Sequence, residues 1–428
     1  MLVDNAVEGD SRVQKAARSA ADAGWDVTLL GCARAAEEKT WRLGDAEVRV
    51  LPMGNHAPAA GLRGRLVSRG GLPLRAARLA RRPVEHAQVA FWRSVRGDRS
   101  WRKLEPGLWG YERLFGPVID ELQPDLIHAH DFRMLGVAAR AKQRSTRPVR
   151  LVWDAHEWLP GAKPRRDNVR WLPAHLAYVN EYVGQADAVV TVSDTLAELL
   201  QRDHDLPERP GVLLNAPLAD TEAGAPDLRE RCGVDQDTPL LVYSGALAVQ
   251  RGLDTVVDAL PRLPGVHLAL VVGDLTAPYL LQLLARAERR GVADRVHAVP
   301  YVPYRQLVEF LGGADVGLIP LHHWPNHEIA LITKFFEYSH ARLPIVVSDV
   351  KTMARTVRET GQGEVFKAKD EADLVRAIQA VLADPKRYRA AYEGPDSPLK
   401  EWTWEAQARH LDALYRRLLG TDTPAETR

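Results

Sequence analysis

The stretch His327-Glu328-Ile329-Ala330-Leu331-Ile332-Thr333-Lys334-Phe335-Phe336-Glu337-Tyr338, followed by Arg342-Leu343-Pro344-Ile345-Val346-Val347-Ser348, decides the reading of this 428-residue chain. It passes from a polar loop into an amphipathic helix, turns at a proline and ends in an apolar strand. Lys334 and Glu337 are three apart, so on a helix they share one face near its start. Free N–H groups at a helix start favour anions, whereas a carboxylate one turn in suits a sugar hydroxyl. The spacing suggests a nucleotide seat, with phosphate on the helix tip and ribose on Glu337. A surface helix carrying an ordinary Lys/Glu pair is the plain alternative.

Working back from this stretch, strand and helix patterns alternate from Pro239 onward. Strands are expected at Pro239 to Ser244, Val266 to Val272, Val296 to Val299, Val316 to Pro320 and Ile345 to Ser348. Helices are expected at Leu253 to Leu260, Pro278 to Arg289, Tyr304 to Leu311 and Glu371 to Leu382, the last capped by Asp370. Ahead of a polar, Pro/Gly-bearing stretch at 216–238, a first unit of the same kind is expected. Its strands fall near Leu2-Val3, Val27 to Leu30, Ala46 to Leu51, Leu126 to Asp131, Val149 to Asp154, Ala188 to Ser193 and Gly211 to Asn215. Asp10-Ser11 caps its first helix, Arg12 to about Ala23. Short apolar runs ending in polar residues are the pattern of buried parallel strands, with chemistry outside their carboxyl ends. That makes His130, His156, Glu157, Ser193 and Asn215 candidates.

The expected fold class is therefore α/β, two Rossmann-like doubly wound domains facing a cleft. The divisions are 1–215, a linker at 216–238, 239–400, a closing helix at 401–419 that packs back on the first domain, and a tail at 420–428. A single core seldom grows past about 300 residues, which also favours two domains. Net charge is +1, so no global field favours nucleic acid or membrane. No apolar run nears the roughly 18 residues of a membrane span. Two distant cysteines, Cys32 and Cys232, and no signal peptide point to a reducing, cytoplasmic setting.

One window departs from this balance. Gly61 to Lys103 holds twelve Lys/Arg against Glu85 and Asp98, interleaved with apolar residues. The preferred reading is a locally basic helical pair covering the first sheet, since Pro73 and Gly70-Gly71 should break a long amphipathic helix. The alternative is peripheral docking on an anionic membrane, at the inner face, or on an anionic acceptor.

His128-x-His130 at a strand end could pair on a metal, with His156, Glu157 and the cluster His322, His323, His327 available to complete it. A metal-dependent hydrolase using His128/His130 is thus a rival reading, and a buried structural role for His128 another. Asp235-Gln236-Asp237 matches a metal motif by letter but reads as a solvated loop. Gly245 at a strand tip, with Arg251-Gly252 six residues on, could admit and clamp a pyrophosphate.

Together, Lys334-Phe335-Phe336-Glu337-Tyr338…Arg342-Leu343-Pro344-Ile345-Val346, Asp10-Ser11-Arg12-Val13, Asp125-Leu126-Ile127-His128-Ala129-His130-Asp131, Asp154-Ala155-His156-Glu157, Asn215-Ala216-Pro217 and Tyr243-Ser244-Gly245…Arg251-Gly252 resemble the GT-B retaining glycosyltransferases of family 4 (GT4, glycosyltransferase group 1). The resemblance runs along nearly the whole chain, to the helix Trp402 to Leu419. It implies transfer of a sugar from a nucleotide diphosphate sugar, UDP- or GDP-linked, to an acceptor hydroxyl with retention and with no metal or other cofactor. It places Gly245, Arg251, Val302, Ile329, Ala330, Leu331, Ile332, Thr333, Lys334 and Glu337 on the donor, with Glu337 on the ribose and the base held by backbone near Val299 to Val302. Arg251 and Lys334 would neutralise the leaving diphosphate, His130 would sit by the reacting carbon, and Asp10, Ser11, Arg12, His156 and Glu157 would form the acceptor side. The chain departs from the pattern where Ala246 replaces the usual Arg. It departs again at the first carboxylate of the Glu-x7-Glu pair, where Ile329 stands and Glu328 is one place off. A non-catalytic GT-B shell acting as an interaction protein is the reading these departures motivate. A sugar-nucleotide 2-epimerase of the same fold is a nearer relative of the main reading.

Overall fold

The computed structural model describes residues 1–53, 72–162, 169–219 and 223–421, with side chains described outside 72–81. The chain divides into two compact units, Met1–Leu213 with Ala408–Arg428, and Leu214–Gln407.

In the first unit, β1 (Thr28–Ala33) pairs in parallel with β3 (Ala46–Pro52), which pairs antiparallel with β2 (Lys39–Leu43). β4 (Leu126–His130), β5 (Arg150–Ala155), β6 (Ala188–Thr191) and β7 (Gly211–Val212) follow as a parallel ladder in that order. Leu2 bridges the two groups, in register with Leu30 and Ala129. The antiparallel β2 was not expected from sequence, although Gly44, at φ +61°, supplies the turn into β3. Helices at Ser11–Asp22, Trp109–Leu122, Asp131–Arg144, Trp171–Tyr182 and Asp194–Asp203 accompany the strands. Arg140 lies among the rings of Trp101, Trp109, Tyr178 and Tyr182, 4.8–5.9 Å from their centroids, and pairs with Glu112. A buried guanidinium held by aromatic faces and one carboxylate ties three helical segments together.

The basic window behaves differently from its reading. Residues 61–71 lie outside the described residues, but Leu72–Arg96 is one continuous 25-residue helix. Pro73 does not break it because it occupies the first turn, where the missing N–H has no partner to lose. Pro83 lies inside the helix and removes one bond.

The second unit is a six-stranded, all-parallel sheet in the order β10-β9-β8-β11-β12-β13. Its strands are β8 (Leu240–Ser244), β9 (His267–Val272), β10 (Val296–Pro300), β11 (Val316–Ile319), β12 (Ile345–Ser348) and β13 (Gly363–Phe366). All five residues of β8 are buried, the sign of a central strand covered on both faces. Two apolar clusters cover the sheet, one around Leu253, Val256, Leu280 and Ile378, the other around Phe310, Phe335, Phe336 and Trp402. The polar stretch before β8 is more than a connector. Asp227 caps a helix at Leu228–Cys232, and Leu228 and Cys232 are buried in the second cluster. The helix Trp404–Leu419 starts in the second unit and finishes in the first.

Candidate active site

In the first unit the ends of β4 and β5 assemble a buried polar cluster. Alternation along β4 points His128 and His130 the same way, and their rings stack at 4.1 Å between centroids. The register pairs His130 with Asp154 on β5. Asp154 is the hub. Its Oδ2 lies 3.4 Å from His130 Nδ1, 3.4 Å from His156 Nε2 and 3.7 Å from His128 Nε2. Arg12, from the first helix, donates to both Asp154 oxygens at 2.9 and 3.0 Å and to Leu213 O at 2.8 Å. His128 Nδ1 lies 2.5 Å from the Tyr415 hydroxyl of the last helix.

Burial opposes every charge in this cluster, and the pairings decide which survive. Burial would raise the Asp154 carboxyl, but Arg12 and then His156 override it and hold it well below the carboxylate range. Burial and neighbouring His128 push His130 well below the usual histidine value. Burial also lowers His128, against Asp154. His156 goes the other way: burial is outweighed by Asp154, and its pKa is raised. Burial lifts the Asp131 carboxyl to about 6, eased by His156. The resulting set is a carboxylate clamped by Arg12, a His156 whose proton is favoured by Asp154 and a His130 whose proton is disfavoured by burial. His130 Nε2 is buried with no hydrogen-bond partner among the described residues.

The other acceptor-side candidates lie around this hub. Asp10 caps the first helix at Val13 N and accepts from Asn5 Nδ2 at 2.8 Å, with Ser11 opening the helix beside it. Glu157 is exposed. Ser193 caps the 194–203 helix at Leu196 N. Arg12 is 3 % exposed and turned inward, so its side chain braces the cluster rather than lining an open surface.

His128, His130 and Asp154 bring ligand-type atoms within 4.8 Å of one another, as a metal pair would require. The fit is poor. Both Asp154 oxygens already bind the Arg12 guanidinium, whose charge repels a second cation. Of the residues named to complete such a site, His156 shares Asp154 Oδ2 with His130, while His322, His323 and His327 belong to the second unit. There, His327 Nδ1–H donates to His322 O at 2.8 Å, and His323 bridges Glu328 Oε1 at 2.6 Å and Asp349 Oδ1 at 3.0 Å.

The second unit gathers its candidates at the carboxyl end of β8. Gly245 leaves the strand at φ +109°, and a Cβ there would lie 3.4 Å from Lys334 Nζ. Lys334, in the Thr333–His340 helix, is 8 % exposed, with its ammonium 3.9 Å from the Tyr243 ring centroid. Burial first and Arg251 second push its pKa down to about 7, while Glu337 raises it. Tyr338 supports the turn: its hydroxyl accepts from Ser244 N at 2.9 Å, and its ring lies where a side chain on Gly317 would be, 2.6 Å from a Cβ. Gly252, φ +73°, passes so close to Pro320 that a Cβ would meet its carbonyl at 1.8 Å. These glycines seat the Arg251 loop against β11.

Asn215 Nδ2 donates to Thr333 Oγ1 at 2.8 Å, fixing the helix start. Ile329 is buried, Ala330 is extended, and Leu331 and Ile332 pack on the core, so the segment presents backbone rather than side chains. Val302 is likewise buried. Glu328 is committed elsewhere: besides His323, it accepts from Lys351 N at 2.9 Å, and its carbonyl accepts from Thr352 Oγ1. It latches the 325–329 turn to the 351–360 helix. Sequence reasoning missed Asp154, Tyr243, Tyr415 and Tyr301. Tyr301 lies beyond β10, where burial first and the Glu337 charge second push its phenol up.

Residues 11–216 match the family described as Glycosyltransferase Family 4, and residues 225–394 that described as Glycosyl transferases group 1. The chain belongs to the family 4 glycosyltransferases. A D-inositol 3-phosphate glycosyltransferase of Xylanimonas cellulosilytica is 31 % identical over 219 residues, 50 % of this chain and 51 % of that protein. A GDP-mannose-dependent alpha-(1-6)-phosphatidylinositol monomannoside mannosyltransferase of Mycolicibacterium smegmatis is 30 % identical over 46 % of this chain and 54 % of that one. The chain thus spans about half the length of these curated relatives. Among solved structures, the sucrose-phosphate synthase of Thermosynechococcus elongatus superposes with a TM-score of 0.71 at 18 % identity, covering 96 % of this chain and 93 % of that one. HepE of Anabaena, solved with UDP and glucose, gives 0.63 at 15 % identity, with 98 % of each chain covered. This family 4 chain therefore has the GT-B fold.

Proposed function

We propose that this protein transfers a sugar from a nucleotide diphosphate sugar to an acceptor hydroxyl with retention, the second unit seating the donor and the first the acceptor. The observation that carries the reading is Lys334, a buried ammonium beside the Gly245 turn with no ion pair among the described residues. A desolvated cation next to a bare backbone turn suits a diphosphate. In this reading Lys334 takes the place of the Arg replaced by Ala246, with Arg251 as the second cation. The N–H groups of Ala330 to Thr333 complete the phosphate seat. Glu337 holds the ribose, and Val302 and its neighbours hold the base through backbone. UDP or GDP is the expected nucleotide, as in HepE and the GDP-mannose-dependent relative.

On the acceptor side, His130 offers Nε2 to the reacting hydroxyl, with His156, Glu157, Asp10 and Ser11 around it and Arg12 bracing Asp154. No metal enters this scheme, because the leaving diphosphate meets cationic side chains and a helix start. The proposed setting is cytoplasmic, in keeping with two buried, unpaired cysteines. No helix among the described residues is long and apolar enough to cross a membrane. Peripheral contact remains part of the proposal because Val84, Phe91 and Val95 are exposed at helical spacing on the 72–96 helix. Sedimentation with anionic but not zwitterionic liposomes checks it.

The test of the donor seat is Glu337→Ala. The expected outcome is a donor KM raised about tenfold or more, the order of a lost charge-assisted hydrogen bond, with an unchanged melting temperature. Normal donor KM in that variant overturns the ribose assignment.

A further inference from the structure

The sheet of the first unit has a gap. Among the described residues, only the Met1–Val3 segment joins β1 to β4. Leu2 N–H donates to His128 O, and His130 N–H donates to Leu2 O, each at 2.9 Å. On the other flank Val3 N–H donates to Leu30 O, and Leu30 N–H to Met1 O, each at 2.9 Å. Leu2 is therefore level with Ala129 and Leu30. Both flanks continue beyond Met1. Between them lies a cavity of about 290 Å³ whose strand-side walls are Trp25–Thr28 and Pro124–Ile127.

Register makes the shape specific. Counting back from Leu2, the four positions ahead of Met1 fall level with Ile127, Leu126, Asp125 and Pro124 on one flank. On the other they fall level with Thr28, Val27, Asp26 and Trp25, and all eight residues line the cavity. Because β4 turns alternate residues toward Leu2, His128 N–H and the backbone of Leu126 face the gap, and Thr28 N–H faces it from the other side. Ile119 and Leu122 from one helix, and Ala20 and Leu419 from two others, supply apolar walls. A small apolar molecule would leave those backbone groups unpaired, whereas an extended backbone pairs them.

We propose that this cavity is a strand slot, which takes about four residues of extended, apolar backbone placed ahead of Met1 and running parallel to both flanks. Buried on both faces, such a strand should be continuously apolar rather than alternating. Filled, it joins β2-β3-β1 to β4-β5-β6-β7 as one unbroken sheet. It then pairs β4, which carries His128 and His130, along its whole length on both sides.

The test compares the protein as it stands with two extended forms, one preceded by Met-Lys-Val-Leu-Val and one by Met-Gly-Ser-Gly-Ser. The apolar extension is expected to slow hydrogen exchange at the His128 and Thr28 amides at least tenfold and to raise Tm by several degrees. The Gly-Ser extension is expected to change neither. Equal exchange and equal Tm in the two extended forms overturns the slot, as does an apolar extension that lowers solubility without protecting the two amides. Neither readout involves a nucleotide, so this outcome is independent of the proposed reaction.

Discussion

The two polar clusters solve burial in opposite ways. Around Asp154, charges are brought in as a set: Arg12 meets both carboxylate oxygens, and Asp154 in turn favours the protonated form of His156. Around Lys334, one ammonium is buried against the face of Tyr243, where burial and the like charge of Arg251 outweigh the opposite charge of Glu337. In the first cluster the Arg12–Asp154 pair is matched and should stabilise the fold, leaving His130 Nε2 as the atom without a partner among the described residues. The second is unbalanced, costs stability, and becomes balanced when an anion arrives. Sites that give up stability in this way are where binding is expected.

The comparison breaks most visibly at Arg12. Arg12→Met removes both hydrogen bonds that Arg12 makes to the buried Asp154 carboxylate, leaving it only the histidines, and should cost about 3–5 kcal/mol, measured by urea unfolding. The pH dependence has a definite sign. The folded Asp154 pKa is depressed, so its stabilisation is present above the unfolded value of about 3.9 and is lost as pH falls through the lower folded value. Arg12→Met should flatten that acid limb.

Lys334→Met should do the reverse. With its pKa lowered to about 7, folded Lys334 holds fewer protons than unfolded Lys334 between about pH 7 and 10, so the lysine lowers stability across neutral pH. Its replacement should raise the donor-free Tm by a few degrees while reducing donor kcat/KM by about 100-fold or more. A variant that loses Tm and retains turnover would place Lys334 in the core and not in the site.

A smaller effect sharpens the same point in the unaltered protein. A bound diphosphate favours the ammonium, so binding above pH 7 takes up a proton. UDP or GDP affinity, measured by calorimetry in two buffers of different ionisation enthalpy, should weaken as pH rises from about 7 to 9, by up to about tenfold per unit. A flat profile would show Lys334 charged throughout or remote from the phosphates.

The smallest expected change is at Glu328. As a latch to Lys351 N and His323, its conversion to Gln should cost about 1 kcal/mol of stability and leave donor KM within about twofold. A KM rise above about tenfold would instead make Glu328 the missing carboxylate of the Glu-x7-Glu pair.

Much of the parallel architecture was legible because each buried strand is a short apolar run with a polar tip. Pro278–Arg289 and Ile345–Ser348 fall where periodicity puts them. What escaped was set by register and by distance along the chain. Asp154 becomes the hub only once β5 lies beside β4 with His130 opposite it, and no spacing within Asp154-Ala155-His156-Glu157 announces that. Tyr415 reaches His128 across 287 residues. Glu328 read as a possible donor contact because its partners, His323 and Lys351, meet it only through the fold. β2 did leave a signal, a short run at Lys39-Thr40-Trp41-Arg42-Leu43 before Gly44-Asp45, but its charges mask the alternation.

The chain order of the two units has a consequence for synthesis. Residues 214–407 are made between the main part of the first unit and its closing segment. At about 5–20 residues per second, the ribosome needs roughly ten to forty seconds after Leu213 before Tyr415 emerges. During that interval the nascent first unit carries His128 without its hydroxyl partner and Trp25 without Asp412, which accepts its indole N–H at 2.7 Å. The second unit, encoded without interruption, is thus fully synthesised before Tyr415 is available to His128.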